Sequence, residues 1–255
     1  MIACGPGRTT FARYPGSSPT FDRASADPKA LAVADKVLAA AGGAARWNEA
    51  KQLRWSQTVT HDGKPVIDGE QAWDRWEGRH HARAHREDGD IVVMRPLYAA
   101  GGTAFKDEDQ KLKKLEGGTA ESISAARERW EFDTAVLFMP FLLEEPGTKL
   151  VYEAEANGDD GKPHDLLIVT FPKDPTRTSV FHIAVNRETN LIDRIEIQKP
   201  GTNDRLGYAL KDYREGGGIK FPGTLQNLGL VGEVITFKDL TVASSPDDTL
   251  FVPPL

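Results

Sequence analysis

The chain has 255 residues, 39% hydrophobic and 27% charged, with a formal net charge of -6. That composition describes a globular chain read as one large domain behind a short arm, and it excludes a binder that works by neutralising phosphates: no block of Lys and Arg interleaved with aromatics is present. No apolar run approaches the roughly 20 residues that a membrane span requires.

The single cysteine, Cys4, excludes an internal disulfide. Ile2, Ala3, Cys4 and Gly5 resemble the end of a bacterial lipoprotein signal, in which a small residue precedes the cysteine that becomes lipid-modified. Three residues precede Cys4 in the recorded sequence, so the basic and apolar parts of a complete signal peptide are not in it. Two readings stand: Cys4 is a lipid anchor, or it is a free thiol. Residues 1–26 are rich in Gly, Pro, Ser and Thr, which predicts a flexible N-terminal arm able to serve as a tether.

Residues 27–255 are expected to form the folded domain. Asp27 before Pro28 predicts a helix start, since the carboxylate accepts from free backbone N–H groups and Pro at the first helical position gives up no bond. The helix runs to about Ala41 with Leu31, Ala34, Val37, Leu38 and Ala41 as its apolar stripe, and Gly42 and Gly43 stop it. Leu53–Thr60 reads as a strand with Leu53, Trp55 and Val59 on one face, turning through His61–Pro65. Residues 66–77, 79–86 and 90–95 continue an antiparallel meander. Lys111, Lys113 and Lys114, beside Asp107, Glu108 and Asp109, read as a solvated helical face.

One strongly helical region separates two runs of strands. Thr119 is the expected cap, Glu121 suits the positive end of the helix dipole, and Ile123, Ala126, Trp130, Thr134, Leu137, Phe138 and Phe141 recur at three- and four-residue spacing. Pro140 should kink or restart this helix. Strands resume over 150–156 and 165–171. In the stretch from Phe181, Phe181, Ile183 and Val185 alternate with His182 and Ala184, and Asn186–Asn190 supply a turn. Leu191, Ile195 and Ile197 share the phase of the next strand. Residues 208–213 and 219–228 follow around Gly216, Gly217 and Gly218, and 231–242 closes the series with Val231, Ile235 and Phe237 alternating with polar neighbours. The class is α+β: a single curved antiparallel sheet with an N-terminal helix and a central helical plug.

Four segments in this order, ADKVLAAAGG (34–43), NRETNLIDRIEI (186–197), DYREGGGIKFP (212–222) and DDTLFVPP (247–254), resemble the Lol-type lipoprotein carrier superfamily, the periplasmic carriers and outer-membrane receptors of bacterial lipoproteins. The resemblance covers residues 28–254. It implies an incomplete β-barrel whose open side is plugged by helices around a lipophilic cavity, and a non-catalytic, monomeric protein of the bacterial periplasm or outer membrane. The implied partner is a lipid or an acylated lipoprotein.

The residue chemistry fits such a cavity. A sheet that curves without closing must cover its inner face, and the segment with Trp130, Leu137, Phe138, Phe141 and Leu142 is the most apolar candidate. Trp55, Trp73 and Trp76 are added as candidate ligand-binding residues, although Trp73 and Trp76 differ in strand parity, so that without a bulge one faces outward. Burying about 300 Å² of acyl chain would contribute roughly 7 kcal/mol before ordering costs. The alternative is a structural or partner-binding envelope protein whose core these same residues fill.

Catalysis and metal binding find little support. His81 and His85 have helical zinc-pair spacing, but RHHARAHRE sits between Gly78 and Gly89 as a strand, where four residues span about 13 Å, and an exposed basic strand face is the expectation. There is no Gly-x-Ser-x-Gly elbow. The carboxylate pairs Glu144 with Glu145, Asp159 with Asp160, and Asp247 with Asp248 fall at turns. No cofactor and no metal are expected.

Overall fold

In the computed structural model, which describes residues 21–97, 101–108, 111–145, 147–158, 161–171 and 179–252, Asp27 begins the folded part as its sequence predicts. Cys4 and most of the N-terminal arm lie outside the described residues. Helix α1 (Pro28–Ala40) has Asp27 at its N-cap, where the side chain accepts from the backbone N–H groups of Lys29 and Ala30. Its buried face is Ala30, Val33, Ala34, Val37 and Ala41, one residue round from the expected stripe, leaving Leu31 and Leu38 half-buried. Gly42, at φ 122°, and Gly43, at φ 81°, stop α1 as expected, but the chain turns there directly into a second helix, α2 (Gly43–Glu49), which the sequence reading missed. That corner is tight. A Cβ on Gly42 would lie 2.2 Å from the Gly218 carbonyl oxygen, and the Lys220 N–H donates to the Ala41 carbonyl at 2.9 Å.

The first meander comprises β1 (Gln52–His61), β2 (Lys64–Asp74), β3 (Arg79–Ala84), β4 (Asp90–Pro96), β5 (Thr103–Glu108) and β6 (Lys111–Lys114). Strand β6 corrects the helical reading of Lys111, Lys113 and Lys114. These lysines form the outer strand of a hairpin, with Lys113 Nζ 2.8 Å from Glu108, and a charged edge discourages pairing with another sheet. Strand β2 ends at Asp74, so the parity argument over Trp73 and Trp76 does not apply: the Asp74 carboxylate accepts from the Trp76 and Glu77 N–H groups and turns the chain there.

Helices α3 (Thr119–Leu137) and α4 (Met139–Leu142) follow. Thr119 lies inside α3 and Gly118 is the N-cap, at φ 69°; the Thr119 hydroxyl donates back to the Leu115 carbonyl. The helix is not the uniformly striped element its spacing predicts. Its N-terminal half is largely exposed, while Asp133, Thr134, Ala135, Val136 and Leu137 are all buried, so its C-terminal end enters the interior on every side. Phe138, at φ -115° and ψ 12°, breaks the helix, and α4 restarts with Pro140 in its first turn, as predicted.

The second meander comprises β7 (Lys149–Asn157), β8 (Pro163–Thr170), β9 (Val180–Asn186), β10 (Ile192–Gln198), β11 (Arg205–Lys211), a small hairpin of β12 (Arg214–Gly216) and β13 (Ile219–Phe221), then β14 (Thr224–Asn227) and β15 (Glu233–Ala243). In β9, Phe181, Ile183 and Val185 are buried as expected. Val231 precedes β15 and is exposed, so the expected alternation there holds only from Ile235 to Phe237. In β10 the expected phase holds for Ile195 and Ile197 and fails at Leu191. The register against β9 slips between Ile192 and Arg194, Asp193 forms a bulge, and Ile192 with Ile195 face the interior.

The two meanders join into one antiparallel sheet of 13 strands in the order β6-β5-β4-β3-β2-β1-β15-β14-β11-β10-β9-β8-β7. The centre is the pair of β1 and β15, running from Gln52 opposite Ala243 to His61 opposite Glu233. Among the described residues β6 and β7 each pair on one side only, so the curved sheet is an incomplete barrel. A single apolar cluster lies on its inner face, combining α1, α2, the end of α3 and α4 with residues from both meanders.

Candidate functional site

The interior is organised around Phe138, at the break between α3 and α4. Its ring lies 5.5 Å from Trp47, 5.7 Å from Trp55 and 6.1 Å from Trp73. Trp47 also stacks on Phe141 at 4.5 Å and 12°, and Trp73 meets Trp130 edge-on at 5.4 Å. Seven of the eight expected ligand-binding residues, Trp55, Trp73, Trp130, Leu137, Phe138, Phe141 and Leu142, are thus buried in this one cluster. The eighth, Trp76, stands apart in the turn after β2, half-buried with Lys51 Nζ 4.0 Å above its ring.

Trp47, on α2, is the aromatic that sequence reasoning missed. The signal was a lone Trp between a glycine stop and a strand, where a loop would not hold a large apolar side chain. The Arg75 guanidinium covers its outer face at 3.6 Å and donates to the Trp47 and Ala50 carbonyls that end α2. Among the described residues, the buried indole N–H groups of Trp47, Trp73 and Trp130 donate to no acceptor.

A polar chain runs along one side of the aromatic cluster. Arg95 Nε donates to His80 Nδ1 at 3.0 Å, which places the ring proton on Nε2, and that N–H donates to Gln71 Oε1 at 2.8 Å. Gln71 Nε2 donates to Asp133 Oδ2, which also accepts from the Trp55 indole at 3.0 Å, while Arg129 lies 2.6 Å from Asp133 Oδ1. Burial pushes the Asp133 carboxyl above its ordinary range against the pull of Arg129, Trp55 and Gln71. Burial, with Arg95 beside it, holds His80 well below the histidine range, so the ring is neutral. His81 is pushed down to about 4 by burial and by Arg83 and Arg54. The expected exposed basic face at these histidines is therefore corrected: His80 is fully buried, His81 is half-buried, and His85 alone is exposed. His80 and His81 point to opposite faces of β3, His85 lies just beyond its end, and among the described residues no cluster able to hold a metal ion occurs.

Two cavities lie outside the aromatic interior. One of about 740 Å³ opens on the other face of the second meander, lined by His164, His182, Asp193, Arg194, Glu196 and Lys211 among others, with His164 Nε2 3.0 Å from Asp193. The other, of about 390 Å³, lies where β3, β4 and β5 meet the C-terminal 3₁₀ turn (Asp248–Phe251).

Helices inserted between the two halves of a curved, unclosed antiparallel sheet fill its inner face, and solved structures share this architecture. The chain is similar to the crystal structure of a DUF1329 family protein from Desulfovibrio piger, with 12% identity and a TM-score of 0.52 over 88% of this chain and 97% of that one. It is also similar to a putative outer membrane lipoprotein-sorting protein domain from Vibrio parahaemolyticus, at 9% identity and a TM-score of 0.49 over 88% and 96% of the two chains. A third structure, a LolA superfamily protein from Nitrosomonas europaea, has 10% identity and a TM-score of 0.49 over 86% and 97%. No protein-family model matches the chain, and no curated protein matches it in sequence. Among the described residues no helix is long and apolar enough to cross a membrane.

Proposed function

We propose that this chain is a non-catalytic, monomeric carrier of the bacterial cell envelope that holds an acyl chain, from a lipid or an acylated lipoprotein, between its curved sheet and the α3–α4 segment. The observation that carries this reading is the cover of the inner face. One inserted segment, buried on all sides from Asp133 to Leu143, fills the space between two meanders, and it is broken at Phe138 into two short rigid pieces. The exposed first half of α3 gives this segment a handle outside the core.

Trp55, Trp73, Trp130, Leu137, Phe138, Phe141 and Leu142 are the proposed chain-holding wall, with Trp76 at its margin. An acyl chain entering here replaces contacts now made by α3 and α4, and the indole N–H groups of Trp47, Trp73 and Trp130 would donate to its ester or amide carbonyl. Acylation of Cys4 would tether the carrier to a membrane. The fold supports the reading as a likeness of architecture.

The test is to purify residues 23–255 from bacteria without detergent and identify bound lipid by mass spectrometry after organic extraction. Stoichiometric acyl chains are expected. A lipid-free protein that also fails to bind a fluorescent fatty acid would point instead to a structural protein with a permanently filled core.

A further inference from the structure

We infer that Gln71 and Trp55 form a fixed two-donor seat for the carbonyl oxygen of an ester- or amide-linked acyl chain, and that the Asp133 carboxylate fills this seat while α3 is in place. The inference rests on the carrier reading and adds to it the part of the ligand that the interior recognises by polar contact.

Gln71 and Trp55 stand directly opposite one another in the pairing of β1 with β2, and both are buried on the inner face. Trp55 Nε1 lies 3.0 Å from Asp133 Oδ2, and Gln71 Nε2 donates to the same oxygen, so two N–H groups from the sheet converge on one point. An indole nitrogen can only donate. The Gln71 amide is oriented by its neighbours. Arg95 can only donate, so His80 accepts at Nδ1 and carries its proton on Nε2. That N–H takes Gln71 Oε1 at 2.8 Å and turns the Nε2 end toward Asp133. The seat is therefore built by the sheet alone, and it demands an acceptor.

Asp133 does not belong to the sheet. It sits on α3, and its charge is matched on the same helix by Arg129, one turn earlier, at 2.6 Å. Withdrawal of α3 from the inner face thus removes the carboxylate and its counter-charge together and leaves the seat uncharged. What remains are two buried N–H groups without an acceptor, an unfavourable state that a carbonyl oxygen relieves. Trp73, the next inward-facing residue of β2, has a buried indole N–H with no acceptor among the described residues, which gives a second acyl oxygen a donor nearby. A neutral carbonyl fits this group of donors, whereas an ionised carboxylate would enter without the cation that accompanies Asp133. Asp133 is thus an internal stand-in for the acyl carbonyl.

The test is displacement of the neutral fluorescent probe N-phenyl-1-naphthylamine from the full chain by methyl dodecanoate and by dodecyl methyl ether, ligands of equal length that differ only in the carbonyl oxygen. The ester should displace the probe at a concentration about fivefold lower than the ether, the factor expected of one or two buried hydrogen bonds. Trp55→Phe and Gln71→Leu should each bring that ratio toward one. Trp55→Phe keeps an aromatic ring and removes the donor, so it decides the matter should Gln71→Leu fail to fold. Asp133→Ala, which empties the seat, should raise the ratio, whereas a plug that is only loosened would strengthen both ligands alike. Equal displacement by ester and ether in wild type overturns the inference and leaves the carrier reading standing. So does a ratio that neither Trp55→Phe nor Gln71→Leu lowers, or one that Asp133→Ala leaves unchanged. A chain that binds neither the probe nor the ester overturns both the inference and the carrier reading.

Discussion

The Asp27 carboxylate that caps α1 also accepts the backbone N–H of Tyr152, at 2.9 Å from its second oxygen. One side chain therefore starts the first helix and fixes it against β7, the last strand of the sheet on that side. Asp27→Ala should lower stability by about 1–2 kcal/mol, the usual loss of a cap together with an unmet donor. The Tyr152 N–H bond, with the Ala30 and Lys29 N–H groups, holds Asp27 below its ordinary pKa. A depressed carboxylate stabilises above its unfolded pKa and loses that contribution as pH falls through the folded value. Urea unfolding at pH 7 and pH 3 should show a smaller difference between variant and wild type at the lower pH.

Trp47 and Trp76 make a contrasting pair. Trp47→Ala removes the stack on Phe141 and the surface covered by Arg75, and should destabilise by about 3–5 kcal/mol. Trp76→Ala, in a turn beside Lys51, should fall within about 1 kcal/mol of wild type. Midpoints of denaturant unfolding measured side by side check both values.

Gly42→Ala should be costly for a backbone reason. The residue sits at φ 122°, and the added methyl would collide with the Gly218 carbonyl, so the α1–α2 corner and the β12–β13 hairpin would have to separate. A loss of about 2–4 kcal/mol is expected, against less than about 1 kcal/mol for Gly63→Ala, where a Cβ has open space but still an unfavourable φ. Thermal unfolding of the two variants gives the comparison.

Tyr208 packs edge-on to Phe132, with ring centres 5.2 Å apart, and burial together with the charge of Glu233 pushes its phenol up to about 12. The folded state therefore holds this proton more tightly than the unfolded chain, whose phenol titrates near 10. Stability is full below about pH 10 and falls between there and about pH 12 by up to roughly 1 kcal/mol per pH unit. Tyr208→Phe should flatten that part of the stability curve. Denaturant unfolding at pH 9, 10 and 11 would show the difference.

Local signals carried most of the strand and helix boundaries. Asp27-Pro28, the alternation from Phe181 to Val185 and the break at Pro140 each fix backbone geometry within a few residues, and each appears where the sequence placed it. What failed depended on partners remote in sequence. The Asp193 bulge is set by pairing with β9, and β6 is a strand because Glu108 and its neighbours lie across from its lysines. The aromatic residues of the interior were legible as an apolar set, but the polar chain from Arg95 through His80 and Gln71 to Asp133 was not. Its members come from three strands and a helix, and no periodicity in any one of them reports the others.

The central pairing of β1 with β15 also sets an order of events. Gln52 and Ala243 are neighbours in the sheet although nearly the whole folded chain separates them, so this seam closes the longest loop in the molecule. Each meander can assemble from local hairpins as the chain emerges, but the two remain separate until the final strand has been made and docked. Closing this seam is the expected slow step of folding, and a chain cut short before Glu233 would lack the strand that hydrogen-bonds one half-sheet to the other, leaving only the apolar cluster between them.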